Sequence, residues 1–147
     1  MEHQPECLGC SLARKELQAH VVYEDESVTC ILDHDPFNEG HVLILPKRHY
    51  RFIDEFDAEM AQSVMKAAQL MSRAIKFALG PDGISICQNG GSFDDLTHFH
   101  MHVVPRQKAQ DFSSFYTDEP WDNEAIKQRL PETRERLAKL VEELVAR

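Results

Sequence analysis

The stretch that most restricts the fold is residues 98–104, His-Phe-His-Met-His-Val-Val. Strict alternation at period two marks a strand, because successive side chains leave a pleated backbone on opposite faces. His98, His100 and His102 then share one face, while Phe99, Met101 and Val103 share the other. The apolar set suits a core beneath a helix, so the histidine face is expected to be the one the core does not need. Near neutral pH an imidazole can be a nucleophile, a general acid–base or a metal ligand. The alternatives are a polar strand face rich in histidine, or a metal chelated by the row. No histidine follows His102 to complete a ligand set, so the reading taken is chemistry by the row itself.

The flanking sequence supplies the remaining elements. Residues 20–24 and 27–33 read as strands joined by the polar pair Asp25-Glu26, and 33–40 as a turn-rich loop. Residues 41–45 read as a third strand stopped by Pro46. Asp57 can cap a helix reaching about Leu79, with Met60, Val64, Ala67, Met71, Ile75 and Ala78 along one stripe and Gly80-Pro81 ending it. A fourth strand covers 83–88, a loop 89–97, and the histidine strand ends at Pro105. After a helical turn at 122–130, Pro131 opens a last helix carrying Leu137, Leu140, Val141, Leu144 and Val145 on one side. Strands in meander pairs with helices set apart indicate an α+β fold. Phe112, Phe115, Tyr116 and Trp121 are expected to pack that last helix, the alternative being that they line the site of a partner subunit. Cys30 and Cys87 are expected to be buried core thiols.

A length of 147 residues suits one domain, with a core over about 7–106 and a helical tail over about 111–147. The formal charge of −9 argues against binding long nucleic acid, which needs a basic face, but leaves room for a small polyphosphate. No apolar run approaches the roughly 20 residues of a membrane span, and the N-terminus lacks the charge and hydropathy pattern of a secretory signal. A cytoplasmic location is therefore expected, with the thiols reduced. Cys7-Leu8-Gly9-Cys10 lacks the βαβ surroundings of a thioredoxin-like motif, and a zinc site there would need two more ligands.

Residues 98–104 resemble the histidine-triad (HIT) motif, and the resemblance extends over residues 7–106. GHVLILPKRH at 40–49 is similar to the family's strand and following loop. LDHDP at 32–36 resembles its ribose-binding turn, QNGG at 88–91 its phosphate loop, and VVPR at 103–106 its strand exit. The resemblance implies a HIT-like fold: about five antiparallel strands, a long helix and a C-terminal helix. It implies that His100 attacks an α-phosphorus to give a nucleotidyl-imidazole, which water hydrolyses. His102 would contact the phosphate or leaving group, and His41 would complete the cluster. By the same resemblance Asp33 would bind the ribose hydroxyls and Asn89 the phosphate, with Gly90 and Gly91 offering backbone N–H groups. A structural zinc would sit on Cys7, Cys10, His49 and His98, and the chain would pair as a homodimer.

One segment departs from the family pattern. The loop GGSFDDLTH places Asp94 where glutamine is usual and Asp95 where a small hydroxylic residue is usual. Two carboxylates beside a phosphate repel it unless they point away or meet a donor. Ser92 or Thr97 would then have to supply the missing donor. The resemblance thus implies a hydrolase or transferase for purine dinucleoside polyphosphates or nucleoside phosphoramidates. The alternatives are a nucleotide-binding regulatory module without turnover and a zinc-stabilised interaction protein.

Overall fold

The computed structural model describes residues 6–147. Its strands are β1 (Val21–Glu24), β2 (Val28–Leu32), β3 (Val42–Pro46), β4 (Gly83–Cys87) and β5 (Met101–Arg106). They form one sheet in the order β1-β2-β3-β5-β4, with every neighbouring pair antiparallel. The helices are α1 (Leu8–Ala13), α2 (Ala58–Leu79), α3 (Glu124–Gln128) and α4 (Leu130–Val145). The expected α+β arrangement is present: a five-stranded antiparallel sheet, a long helix and a C-terminal helix. None of the helices in the described residues is long and apolar enough to cross a membrane.

Local chemistry sets the joints. Asp25 turns the first hairpin by accepting the N–H groups of Ser27 (2.8 Å) and Val28 (2.9 Å) on Oδ1. Asp57 caps α2 by accepting the Met60 N–H at 2.8 Å. Gly80 ends that helix at φ +56°, a left-handed conformation that suits glycine. The stripe read from the sequence is the buried one: Met60, Val64, Ala67, Met71, Ile75 and Ala78 pack on Val28, Cys30, Leu32, Val42, Ile44, Met101 and Val103. Leu137 and Val141 of α4 close this layer, with Leu140 and Leu144 at its margin and Val145 exposed.

Five expectations need correction. The strand does not begin at His98: the β3–β5 ladder ends at Ile44↔Met101, and the Phe99 N–H bonds to the Tyr50 carbonyl instead. β3 does end at Pro46, but Pro105 does not stop β5, which continues to Arg106, because Pro105 lies past the end of the β3–β5 ladder, where a missing N–H costs no rung. The histidine face is not spare: His98, His100 and His102 are 0%, 4% and 8% exposed. α1, which the sequence reading did not anticipate, covers one end of this face, and residues 112–121 cover the other. Thus Phe112, Phe115 and Trp121 pack on Phe37 and the imidazoles and not on the last helix, while Tyr116 is exposed. Of the two core thiols expected, Cys30 is fully buried, whereas Cys87 is half-buried on β4, an edge strand covered less well than β2.

Candidate functional site

Two clusters meet along residues 98–102. The first gathers Cys7, Cys10, His49 and His98, whose donor atoms all lie within 4.8 Å of one another. His98 Nδ1 is 3.6 Å from Cys7 Sγ and 3.5 Å from Cys10 Sγ, and His49 Nδ1 is 3.3 Å from Cys10 Sγ. Sulfur and nitrogen ligands of one tetrahedral zinc would stand about 3.6 Å apart, so these distances fit a four-coordinate ion. Cys7 Sγ also accepts the Cys10 N–H at 3.4 Å as the N-cap of α1. The His98 Nε2–H donates to the Pro46 carbonyl at 2.8 Å, which turns the Nδ1 lone pair toward the sulfurs. Burial pushes the His98 pKa down to about 4 and lowers that of His49, so both rings are neutral, as ligation requires. These four residues are able to hold a metal ion.

Sequence reading missed the residue that lets this cluster close. A Cβ on Gly9 would lie 2.3 Å from His98 Cβ and 2.4 Å from its Cγ. Only glycine allows α1 to approach so closely, and the signal was in view as one of the two residues between the cysteines.

The second cluster is His41, His100 and His102. His100 Nδ1 lies 2.9 Å from the His98 carbonyl, which can only accept, so that nitrogen carries a proton. Its Nε2 faces Asp95 Oδ1 at 3.3 Å. The Phe37 N–H donates to His41 Nδ1 at 3.0 Å, placing the proton of the neutral His41 ring on Nε2. That Nε2–H donates to His102 Nδ1 at 2.9 Å, and His102 therefore keeps its own proton on Nε2. Burial holds His41 well below the usual histidine pKa and His102 at about 4, with neighbouring imidazoles adding to both shifts, so the pair is uncharged. Phe115 and Trp121 stack on each other (22°) and face His41, each with its centroid 5.9 Å from the imidazole.

His100 and His102 open onto a cavity of about 300 Å³ that also contains Asp33 and Asp95. Its apolar wall includes Leu8 and Leu12 from α1 and Ile31 and Leu43 from the sheet. Asp33 Oδ2 is 3.6 Å from His41 Nε2, while Oδ1 accepts the Asp35 N–H at 3.0 Å, so one carboxylate both shapes the turn and faces the site. The other candidates lie apart: Asn89, Gly90, Gly91, Ser92 and Thr97 do not line this cavity. Asn89 is half-buried, Gly91 opens a short helical turn at φ +69°, and Ser92 and Thr97 face solvent. Asp94 meets the guanidinium of Arg51, with Nε and Nη2 at 3.3 and 3.4 Å.

Asp33 gives a pH-dependent prediction. Burial raises its carboxyl pKa to about 6 from an ordinary 3.8. The folded state therefore keeps a proton that the unfolded chain has lost, and stability falls as pH rises through this window. Asp33→Asn retains the oxygen for the Asp35 N–H and removes the buried charge. The variant is expected to exceed the wild type in urea-unfolding free energy by about 1–3 kcal/mol at pH 7.5, with no difference near pH 4. A less stable variant at pH 7.5 would contradict this account.

Comparison with known proteins agrees with the geometry. The HIT domain model matches residues 14–109. An uncharacterized HIT-like protein of Methanocaldococcus jannaschii is 37% identical over 102 residues, covering 68% of this chain and 78% of that protein. The adenylylsulfatase HINT3 of Arabidopsis thaliana is 34% identical over 107 residues, covering 71% of this chain and 54% of that one. The crystal structure of a Zn-bound histidine triad family protein from Mycobacterium smegmatis superposes with a TM-score of 0.78 at 27% identity, covering 96% of each chain. With its imidazole row, its sheet and its domain match in agreement, this chain belongs to the histidine-triad (HIT) family.

Proposed function

We propose that the protein is a purine-nucleotide hydrolase or nucleotidyl transferase that cleaves dinucleoside polyphosphates or nucleoside phosphoramidates through a nucleotidyl-His100 intermediate. The observation carrying this reading is the tie between His100 Nδ1 and the His98 carbonyl, which leaves Nε2 as the nucleophilic nitrogen. The Nε2 electron pair forms the N–P bond, the leaving group departs with the electrons of its own bond to phosphorus, and water then attacks to free the nucleoside monophosphate. A leaving amine takes its proton from solvent. His102 Nε2–H donates to a phosphoryl oxygen, and the hydrogen bond from His41 aims it. Asp33, beside the His41–His102 pair, accepts from the ribose hydroxyls, and the apolar wall takes the base. Asn89, Gly90, Gly91, Ser92 and Thr97 reach the phosphates only if the 89–97 loop closes over a bound ligand.

Zinc is the proposed ion for Cys7, Cys10, His49 and His98, because two thiolates with two imidazoles form a closed tetrahedral donor set. Its role there is structural, and the thiolates suit a reducing cytoplasm. A second copy of the chain is the proposed partner, along the open edge of β4 and the outer face of α2, where Ile86, Met65 and Phe77 are exposed.

A second reading, nucleotide binding without turnover, draws on the Asp95 carboxylate beside His100 Nε2. The wild type is expected to release AMP from an adenosine phosphoramidate or from diadenosine triphosphate. An alkaline quench, which preserves a phosphorus–nitrogen bond, should yield protein heavier by one adenylyl group in mass spectrometry. Tight AMP binding with neither product would favour the second reading. Failure to bind any nucleotide would leave the zinc-stabilised interaction protein.

A further inference from the structure

We propose that Asp95 selects the leaving group, so that the enzyme prefers nucleoside monophosphates linked to a cationic, amine-bearing group over those linked to a further phosphate. The inference rests on the hydrolase reading above and narrows its substrate class. Three observations carry it. Asp95 Oδ1 stands 3.3 Å from His100 Nε2, the nitrogen from which attack proceeds. A phosphorus poised for that attack would lie about 3–3.5 Å from Nε2, so Asp95 borders the space of the reacting group and its substituents. Its side chain is 91% exposed and can turn aside from Nε2 into the cavity mouth without disturbing packing.

The second observation is the charge of the rest of the cavity. Among the described residues, those lining it include Asp33 and Asp95 and no lysine or arginine. A polyphosphate leaving group adds negative charge next to these carboxylates, with no guanidinium or ammonium of the lining to offset it. The third observation concerns the cation that does reach this loop. Arg51 donates through Nε and Nη2 to Asp94, and Nη2 also reaches the Gly91 carbonyl at 3.5 Å. It is held on the loop and does not line the cavity. An ammonium on the leaving group would meet Asp95 as a charge-assisted partner and displace it from His100 Nε2.

The test compares kcat/KM for three adenosine 5′-monophosphate derivatives: a phosphoramidate of ethylenediamine with a free ammonium, the phosphoramidate of propylamine, and diadenosine triphosphate. The ammonium compound is expected to lead, at least tenfold above the triphosphate. Asp95→Ser is expected to narrow the gap at least tenfold, by slowing the ammonium compound and speeding the triphosphate. A wild-type preference for the triphosphate, or a ratio unchanged by Asp95→Ser, would overturn the inference while leaving the hydrolase reading intact. If the wild type turns over none of the three, the hydrolase reading fails, and binding then decides the inference. Calorimetric affinity for the aminoethyl ester of AMP above that for ATP, lost in Asp95→Ser, would support a selective site, and the reverse order would refute it.

Discussion

His100→Ala is expected to abolish AMP release, lowering kcat by about four orders of magnitude or more, as removal of a covalent nucleophile does elsewhere. No neighbouring group can take over the attack. His102 Nδ1 is occupied by His41, and its Nε2 carries the proton. His41 is fully buried and accepts the Phe37 N–H on its other nitrogen. The variant should still bind AMP and melt cooperatively, because the substitution opens space at the cavity edge and cuts no rung of the sheet: His100 lies just before β5. His102→Ala is the companion measurement. It retains the nucleophile and loses one donor to the phosphoryl group, so the expected cost is smaller, about 10²–10³ in kcat. Its adenylylated form should remain detectable after alkaline quench, whereas His100→Ala should show none. Turnover by His100→Ala within tenfold of wild type would end the covalent reading.

How much of this was legible in the sequence depended on whether a residue's role is set locally. The α2 stripe, its Asp57 cap and its Gly80 stop obey period and capping rules within one segment, and they stand as read. The imidazole alternation was equally plain, but its surroundings were not. Burial of the histidine face depends on α1, a helix of 6 residues too short to show a period, and on an irregular aromatic segment whose partner, Phe37, is far away in sequence. The ligand quartet was readable only by resemblance, since its members lie up to 91 positions apart. Gly9 stood in view between the two cysteines, but the reason for it was not legible, because its demand comes from the distant His98 side chain packed against it. Asp94 posed as a problem for phosphate binding, and Arg51, 43 residues earlier, resolves it by pairing. Asp95, its neighbour, has no such partner among the cations described and stays at His100 Nε2.

Stripping the metal is expected to lower the melting temperature on the order of 10 °C and to weaken AMP binding in the fraction that stays folded. The first effect follows from what holds α1. Its inner face offers Gly9, Cys10 and Ala13, a small apolar area, so ligation of the proposed zinc would carry much of the free energy that docks it. A loss of about 3–4 kcal/mol corresponds to roughly 10 °C in a chain of this size. The second effect follows from Leu8 and Leu12, which reach the nucleotide cavity from the same helix. Losing the helix removes that wall, and the base loses an apolar contact on one side. Gly9→Ala should reproduce both effects without chelator, since its Cβ would strike His98 and push the cysteines off their partners. Calorimetry on metal-loaded, chelated and Gly9→Ala protein, with metal content measured on each, separates the cases. Leu8→Ser provides a control that keeps all four ligands, and it should weaken AMP binding while leaving metal content and melting temperature near wild type. A chelated protein with unchanged melting temperature and unchanged AMP affinity would show that α1 docks by packing alone and that the metal has no hold on the nucleotide site.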